Sequence, residues 1–207
     1  MKDVRLILVR HGQTAWNAEG RVQGGGSLDR IGCIQASALA QRLVNEPITQ
    51  VYASPALRAR QTARYTAGLL GIRVRQSSLL KDLDYGRFAG AFIADVQEAA
   101  PGLFEQWRDA PETVTFENGE NLANLRLRMN KFIRKIKQSH QGETVLAATH
   151  DSPIRIAASI ALGLPDSEHK QDYLKAPLAS MTILNISSDS IVLEAFRDIS
   201  HLENTDG

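Results

Sequence analysis

The sequence predicts an α/β sandwich. Three observations predict it: short aliphatic runs alternate with stretches of helical periodicity, two of those runs end directly on a histidine, and no repeat or low-complexity tract breaks the pattern. With 207 residues, 43% of them apolar, the chain reads as one domain over residues 1–207 with a sizeable core.

The elements follow in order. Residues 4–9 are aliphatic and β-branched and predict a buried strand, with Arg10, His11 and Gly12 at its end. Over residues 29–44, Ile31, Ile34, Ala38, Leu39 and Leu43 recur at helical spacing and are expected to face the core. Residues 51–53 predict a short strand, and Ser54-Pro55 reads as the cap and first turn of a helix over 56–70. A third strand is expected at 73–75. Between residues 80 and 120, Gly86, Gly90, Pro101, Pro111 and Gly119 predict short helices and loops. Residues 121–137 form an amphipathic helix with Leu122, Leu125, Met129, Phe132 and Ile136 on one face; that face either packs inside or serves a homodimer. Residues 145–149 predict another buried strand running into His150, followed by a helix over 153–162. A hairpin over 181–186 and 191–196 closes the chain.

Composition narrows the function classes. The chain has 24 basic and 23 acidic residues, a net charge of +1, so neither a nucleic-acid nor a membrane partner is expected. Cys33 is the single cysteine, which excludes an intrachain disulfide and fits a reducing compartment. The apolar run at 6–9 is too short for a signal-peptide core or a membrane span. The expected location is cytoplasmic.

Ligands of open α/β sheets sit at the carboxyl ends of strands, where His11 and His150 both fall. Taken alone, His11 reads equally as a core residue or a metal ligand, and Arg58 reads as a solvated residue in a first helical turn. Together they make a phosphate pocket. Arg10 and Arg58 offer planar donor forks, and helix N-termini beside Arg58 and His150 add backbone donors. A neutral imidazole is a competent nucleophile toward phosphorus, and nearby arginines disfavour its protonation.

These motifs are Leu-Val-Arg-His-Gly-Gln-Thr-Ala-Trp-Asn at 8–17, Gly-Arg-Val-Gln-Gly at 20–24, and the segment from Ser54 through Arg58 to Thr62. With Gly119-Glu120-Asn121-Leu122, the His150 region and Ser200-His201-Leu202-Glu203, they resemble the histidine phosphatase superfamily over nearly the whole chain. That resemblance implies a phosphoglycerate mutase-like, three-layer fold with a mixed, mostly parallel sheet flanked by helices. It implies His11 as the phosphorylated nucleophile, with Arg10, Arg58 and His150 holding the phosphate. Asn17, Gln23 and Gly24 would line the same pocket, and no metal or cofactor would be required. Where the family usually carries a glutamate as proton donor, counting back from Gly86 lands on Asp82, one methylene shorter, with Asp84 the less favoured substitute. Asp151 and Ser152 stand where a pair of glycines commonly follows the second histidine, and His201 is either a substrate contact or a packing residue.

The segments at 104–111 and 116–122 resemble bacterial metal-independent phosphoserine phosphatases, their broad-specificity relatives and α-ribazole phosphatases. The short acid segment and C-terminal region favour a phosphatase over a mutase. The expected substrate is a small phosphorylated metabolite, with phosphoserine the single best choice. Mutase-type phosphoryl transfer and a weakly active or non-catalytic phospho-ligand binding module are the alternatives.

Overall fold

The computed structural model describes residues 2–23 and 25–203. Six strands build one sheet: β1 (Val4–Arg10), β2 (Ile48–Ala53), β3 (Val74–Gln76), β4 (Thr144–Thr149), β5 (Met181–Ile186) and β6 (Ile191–Asp198). Their order is β3-β2-β4-β1-β5-β6. β3, β2, β4 and β1 run parallel, while β5 and β6 each pair antiparallel with the preceding strand in that order. This is the expected mixed, mostly parallel α/β sandwich.

The alternation along β1 shows how the layers form. Leu6 and Leu8 enter one core with Val145 and Ala147, while Ile7 and Val9 enter the other with Leu146 and Ala148. Two helices, α2 (Arg30–Leu43) and α3 (Leu57–Leu70), cover the second core. On the opposite face lie α6 (Leu122–Ser139) and α7 (Asp151–Leu162). All six residues of β4 are buried, as a central parallel strand requires. Two shorter helices, α4 (Ile93–Ala99) and α5 (Pro101–Asp109), fall in the 80–120 stretch that glycine and proline mark, while α1 (Ala15–Ala18) forms in the turn after His11, where the sequence predicted no helix.

Three local expectations need correction. Ile31 and Ile34 are 51% and 40% exposed; α2 buries Gly32, Ala36, Leu39, Ala40 and Leu43 instead. The small residues let α2 lie close beside α3, so the buried stripe is offset from the bulkiest side chains. Ser54-Pro55 does not cap α3. Ala56 holds that position without a side-chain bond, and Ser54 Oγ accepts from Ala56 N at 3.3 Å in a tight local turn. Finally, α7 starts at Asp151, which places Asp151 and Ser152 in its first turn rather than in a loop.

The apolar face of α6 is fully used: Leu122, Leu125, Met129, Phe132 and Ile136 are each 0% exposed in the core. Full burial leaves that face nothing to offer a second copy. Among the described residues, no helix is long and apolar enough to cross a membrane.

Candidate active site

Strand pairing brings the two histidines together. β1 and β4 are parallel neighbours with Arg10 opposite Thr149, and His11 N donates to Thr149 O at 3.0 Å. Each chain leaves the sheet on the next residue. The spacing between adjacent strands then sets the spacing of the two rings, whose centroids lie 5.2 Å apart. The turn after His11 presses on the start of α2, where a Cβ on Gly12 would stand 2.6 Å from the Gly32 carbonyl oxygen. A Cβ on Gly32 would strike the Gln13 carbonyl in return. Only a glycine pair permits this approach. Thr62 fastens the turn to α3, accepting from Gly12 N at 3.1 Å and donating to Arg58 O at 2.9 Å.

The hydrogen bonds fix both tautomers. His11 Nδ1 lies 2.7 Å from the Gly12 carbonyl, which can only accept, so Nδ1 carries the proton and Nε2 keeps its lone pair. Arg58 Nε donates to that lone pair at 3.1 Å. Arg58 Nη2 meets His150 Nδ1 at 3.0 Å, and a guanidinium only donates, so His150 carries its proton on Nε2. That proton goes to Ser54 Oγ, 2.9 Å away. One arginine thus spans both imidazoles.

Electrostatics keep the imidazoles neutral. Burial, with Arg58 and then Arg10 beside it, holds His11 well below the usual histidine range, against the opposing Gly12 bond. Burial, Arg58, His11 and Arg10 do the same for His150. Arg10 itself donates from Nη1 to Ala176 O at 2.7 Å, while its buried Nε has no hydrogen-bond partner among the described residues. A buried donor left unpaired costs roughly 1–3 kcal/mol, which an incoming anion would relieve.

Asp82 completes the group. Its Oδ2 lies 3.8 Å from Arg58 Nη2 and 3.9 Å from His150 Nδ1, with the side chain 10% exposed. Burial pushes its pKa up to about 6 against the pull of Arg58, and the neighbouring Asp151 adds to the rise. Asp84, by contrast, is exposed and its Oδ1 accepts from Gly86 N at 2.9 Å, a turn-forming role. A cleft of about 360 Å³ opens over Arg58, Asp82 and His150, lined further by Gln23, Ser54 and Lys81. Gln23 also lines an adjoining apolar pocket of about 260 Å³ walled by Tyr85, Phe88, Trp107 and Phe116.

The remaining expected residues divide. Gln23 takes part through its Nε2, which donates to Leu83 O at 3.1 Å. The Oδ1 of Asn17 accepts from Thr14 N and Thr14 Oγ1 in a capping box on α1, so the structure gives it a bracing role in the turn after His11. Gly24 lies outside the described residues. Asp151 accepts from Ala176 N and Arg155 Nε at 2.9 Å each, and Ser152 Oγ is 3.3 Å from Tyr85 Oη, so both brace loops. His201 is half-buried with Asp198, Ala179 and Arg42 around it. Among the described residues, no group of three or more His, Cys, Asp or Glu gathers as a metal site.

Sequence reasoning gave Ser54 a capping role only, and gave Thr62 and Thr149 no role of their own. Thr149 Oγ1 donates to Leu80 O at 2.8 Å and ties β4 to the segment carrying Asp82. Their signal was present: each is a polar residue at a strand end or in the helical turn beside Arg58. Arg128 and Glu120 were also missed. Arg128 sits next to Met129 on the flank of the buried face of α6, an unusual place for a charge.

The chain is 34% identical over 163 residues to phosphoserine phosphatase 1 of Hydrogenobacter thermophilus, covering 78% of this chain and 77% of that one. It is 29% identical over 205 residues to a metal-independent phosphoserine phosphatase of Arabidopsis thaliana, covering 96% and 83%. The solved structure of Bacillus stearothermophilus YhfR superposes with a TM-score of 0.92 at 27% identity, covering 97% of this chain and all of that one. The model of the histidine phosphatase superfamily, branch 1, matches residues 6–199, and the chain belongs to that family.

Proposed function

We propose that the protein hydrolyses small phosphomonoesters through a phosphohistidine at His11, with Asp82 as proton donor and phosphoserine as the leading substrate. One observation carries the reading. The unprotonated Nε2 of His11 and the carboxyl of Asp82 flank a single arginine, Arg58, that also reaches His150.

In this scheme the substrate phosphate draws the Arg58 guanidinium from the imidazoles onto its oxygens and satisfies Arg10 Nε. His150, protonated on Nε2, and the N-terminus of α7 add donors and a favourable dipole. His11 Nε2 attacks phosphorus; the P–O bond to the leaving group breaks, and that oxygen takes the proton of Asp82. Water then attacks the phosphohistidine, giving its proton to the Asp82 carboxylate, and the P–N bond breaks to restore neutral His11. A carboxyl with a pKa of about 6 suits both halves, since it is neither locked neutral nor permanently ionised near neutral pH.

Phosphoserine leads because two relatives carry that activity in their names. The proposed setting is the cytoplasm, a reducing compartment that the single cysteine, Cys33, fits. The test is phosphate release from phosphoserine, 3-phosphoglycerate, sugar phosphates and p-nitrophenyl phosphate with EDTA present, beside His11→Ala. Turnover that vanishes in the variant supports the scheme. Phosphoryl exchange between phosphoglycerates without phosphate release would favour the mutase reading, and tight phosphate binding without turnover the binding-module reading.

A further inference from the structure

The segment that carries Asp82 has no sheet partner, so its carbonyls must find donors elsewhere. Thr149 serves Leu80 O and Gln23 serves Leu83 O, and one further side chain serves three more. Arg128, on α6, donates from Nη1 to Leu79 O at 3.1 Å and Lys81 O at 2.5 Å, and from Nη2 to Asp82 O at 2.7 Å. Its Nε and Nη2 also donate to Glu120 Oε1 and Oε2, each at 2.8 Å. Glu120 in turn reaches the far side of the acid: its Oε2 accepts from Asp84 N at 3.2 Å, and its own N donates to Asp84 O at 2.8 Å. The pair therefore grips the backbone before, at and after Asp82.

The base of this grip is rigid. Arg128 is flanked on α6 by Leu125, Met129 and Phe132, all 0% exposed, and its own side chain is only 13% exposed. The hydrogen bonds of Arg128 go to the carboxylate of Glu120 and to the carbonyls of the acid segment, so it acts on the geometry of Asp82 through its backbone. Aspartate is a short acid, and its reach depends on where its backbone is held.

We infer that Arg128, held by Glu120, is the positioning residue for the proton donor: it fixes the backbone of Asp82 at the distance from the leaving-group oxygen that a short carboxylic acid requires. This rests on Asp82 being the acid. A misplacement of about 1 Å in such a group costs on the order of 10²-fold in rate.

Leaving-group chemistry separates this role from simple support. The full-length enzyme and its Arg128→Gln, Arg128→Lys, Glu120→Gln and Asp82→Asn variants are assayed on an alkyl phosphomonoester and on p-nitrophenyl phosphate, whose phenolate departs with little protonation. Because Asp82 also serves the hydrolysis step that all esters share, the readout is kcat/KM, which reports only formation of the phosphohistidine. Arg128→Gln is expected to lower it on the alkyl ester by about 10–100-fold, with the value on p-nitrophenyl phosphate within about threefold of the parent. Arg128→Lys, which keeps the charge but loses the fork, falls between. Added to Asp82→Asn, Arg128→Gln is expected to cause no further loss. Equal losses of kcat/KM on both esters, no loss on the alkyl ester, or full additivity with Asp82→Asn overturns the inference. If Arg128→Gln fails to fold, Glu120→Gln, which keeps the three carbonyl bonds, decides by the same selectivity at smaller amplitude. An Asp82→Asn enzyme that slows both esters alike removes the acid assignment itself, and this inference with it.

Discussion

The two halves of the site are held in different ways. His11 and His150 leave adjacent parallel strands one residue past their last ladder pair, so sheet hydrogen bonding positions them directly. Asp82 sits in an irregular segment whose placement depends on side chains from β4, α6 and the loop before it: Thr149, Arg128, Glu120 and Gln23. The nucleophile half inherits the rigidity of the sheet. The acid half borrows its rigidity through a few hydrogen bonds, and that makes it the part most open to adjustment by substitution.

Breaking the first half should have the largest effect. His11→Ala removes the attacking lone pair and is expected to lower phosphate release by at least about 10⁴-fold, measured in steady state against every ester the parent accepts. Loss of one nucleophile cannot be offset by the phosphate clamp, because Arg10, Arg58 and His150 have no bond to form to phosphorus.

Breaking the second half should be selective. Asp82→Asn keeps the shape and removes the proton, so kcat/KM on alkyl esters is expected to fall by about 10²–10⁴-fold while that on p-nitrophenyl phosphate falls far less. The parent's kcat/KM on alkyl esters should fall as pH rises above about 6, since the acid must be protonated, and that limb should vanish in the variant.

Gly32→Ala tests the sheet-borne half from a distance. The new methyl group meets the Gln13 carbonyl and pushes on the turn behind His11, with an expected cost of about 1–3 kcal/mol of stability by denaturant melt and slower turnover on both kinds of ester. Loss of alkyl-ester activity alone would show that the two halves are mechanically linked.

Stability against pH sharpens the comparison further. The folded protein holds His11 and His150 neutral below their usual value of 6.5, so the unfolded chain takes up protons first and stability falls as pH drops below about 6.5. Asp82 works the opposite way. Its folded pKa of about 6 lies above the ordinary 3.8, so its ionisation destabilises the folded state increasingly between pH 4 and 6 and fully above that range. Asp82→Asn is therefore expected to be more stable than the parent at pH 7, on the order of 1–3 kcal/mol in thermal or denaturant unfolding. A less stable variant would mean that the Arg58 contact outweighs burial at this carboxyl.

The sequence by itself determined the layers and which histidines and arginine lie at element ends. Continuous apolar runs at β1 and β4, the helical stripe of α6 and those polar residues are local patterns, and each maps onto local structure. Where it misled, the reason was tertiary. Ile31 and Ile34 fit the stripe of α2 but lie outside, because the close approach to α3 favours Ala36 and Ala40. Ser54 looked like a cap, yet the packing of β2 beside β4 made it the acceptor for His150. Only the folded structure decided which nitrogen of each histidine holds the proton, how far burial raises Asp82, and what holds its loop. Arg128 reaches the Asp82 carbonyl across 46 residues of chain. A backbone carbonyl accepts a hydrogen bond whatever side chain it carries, so such a contact leaves no mark in the residues it holds.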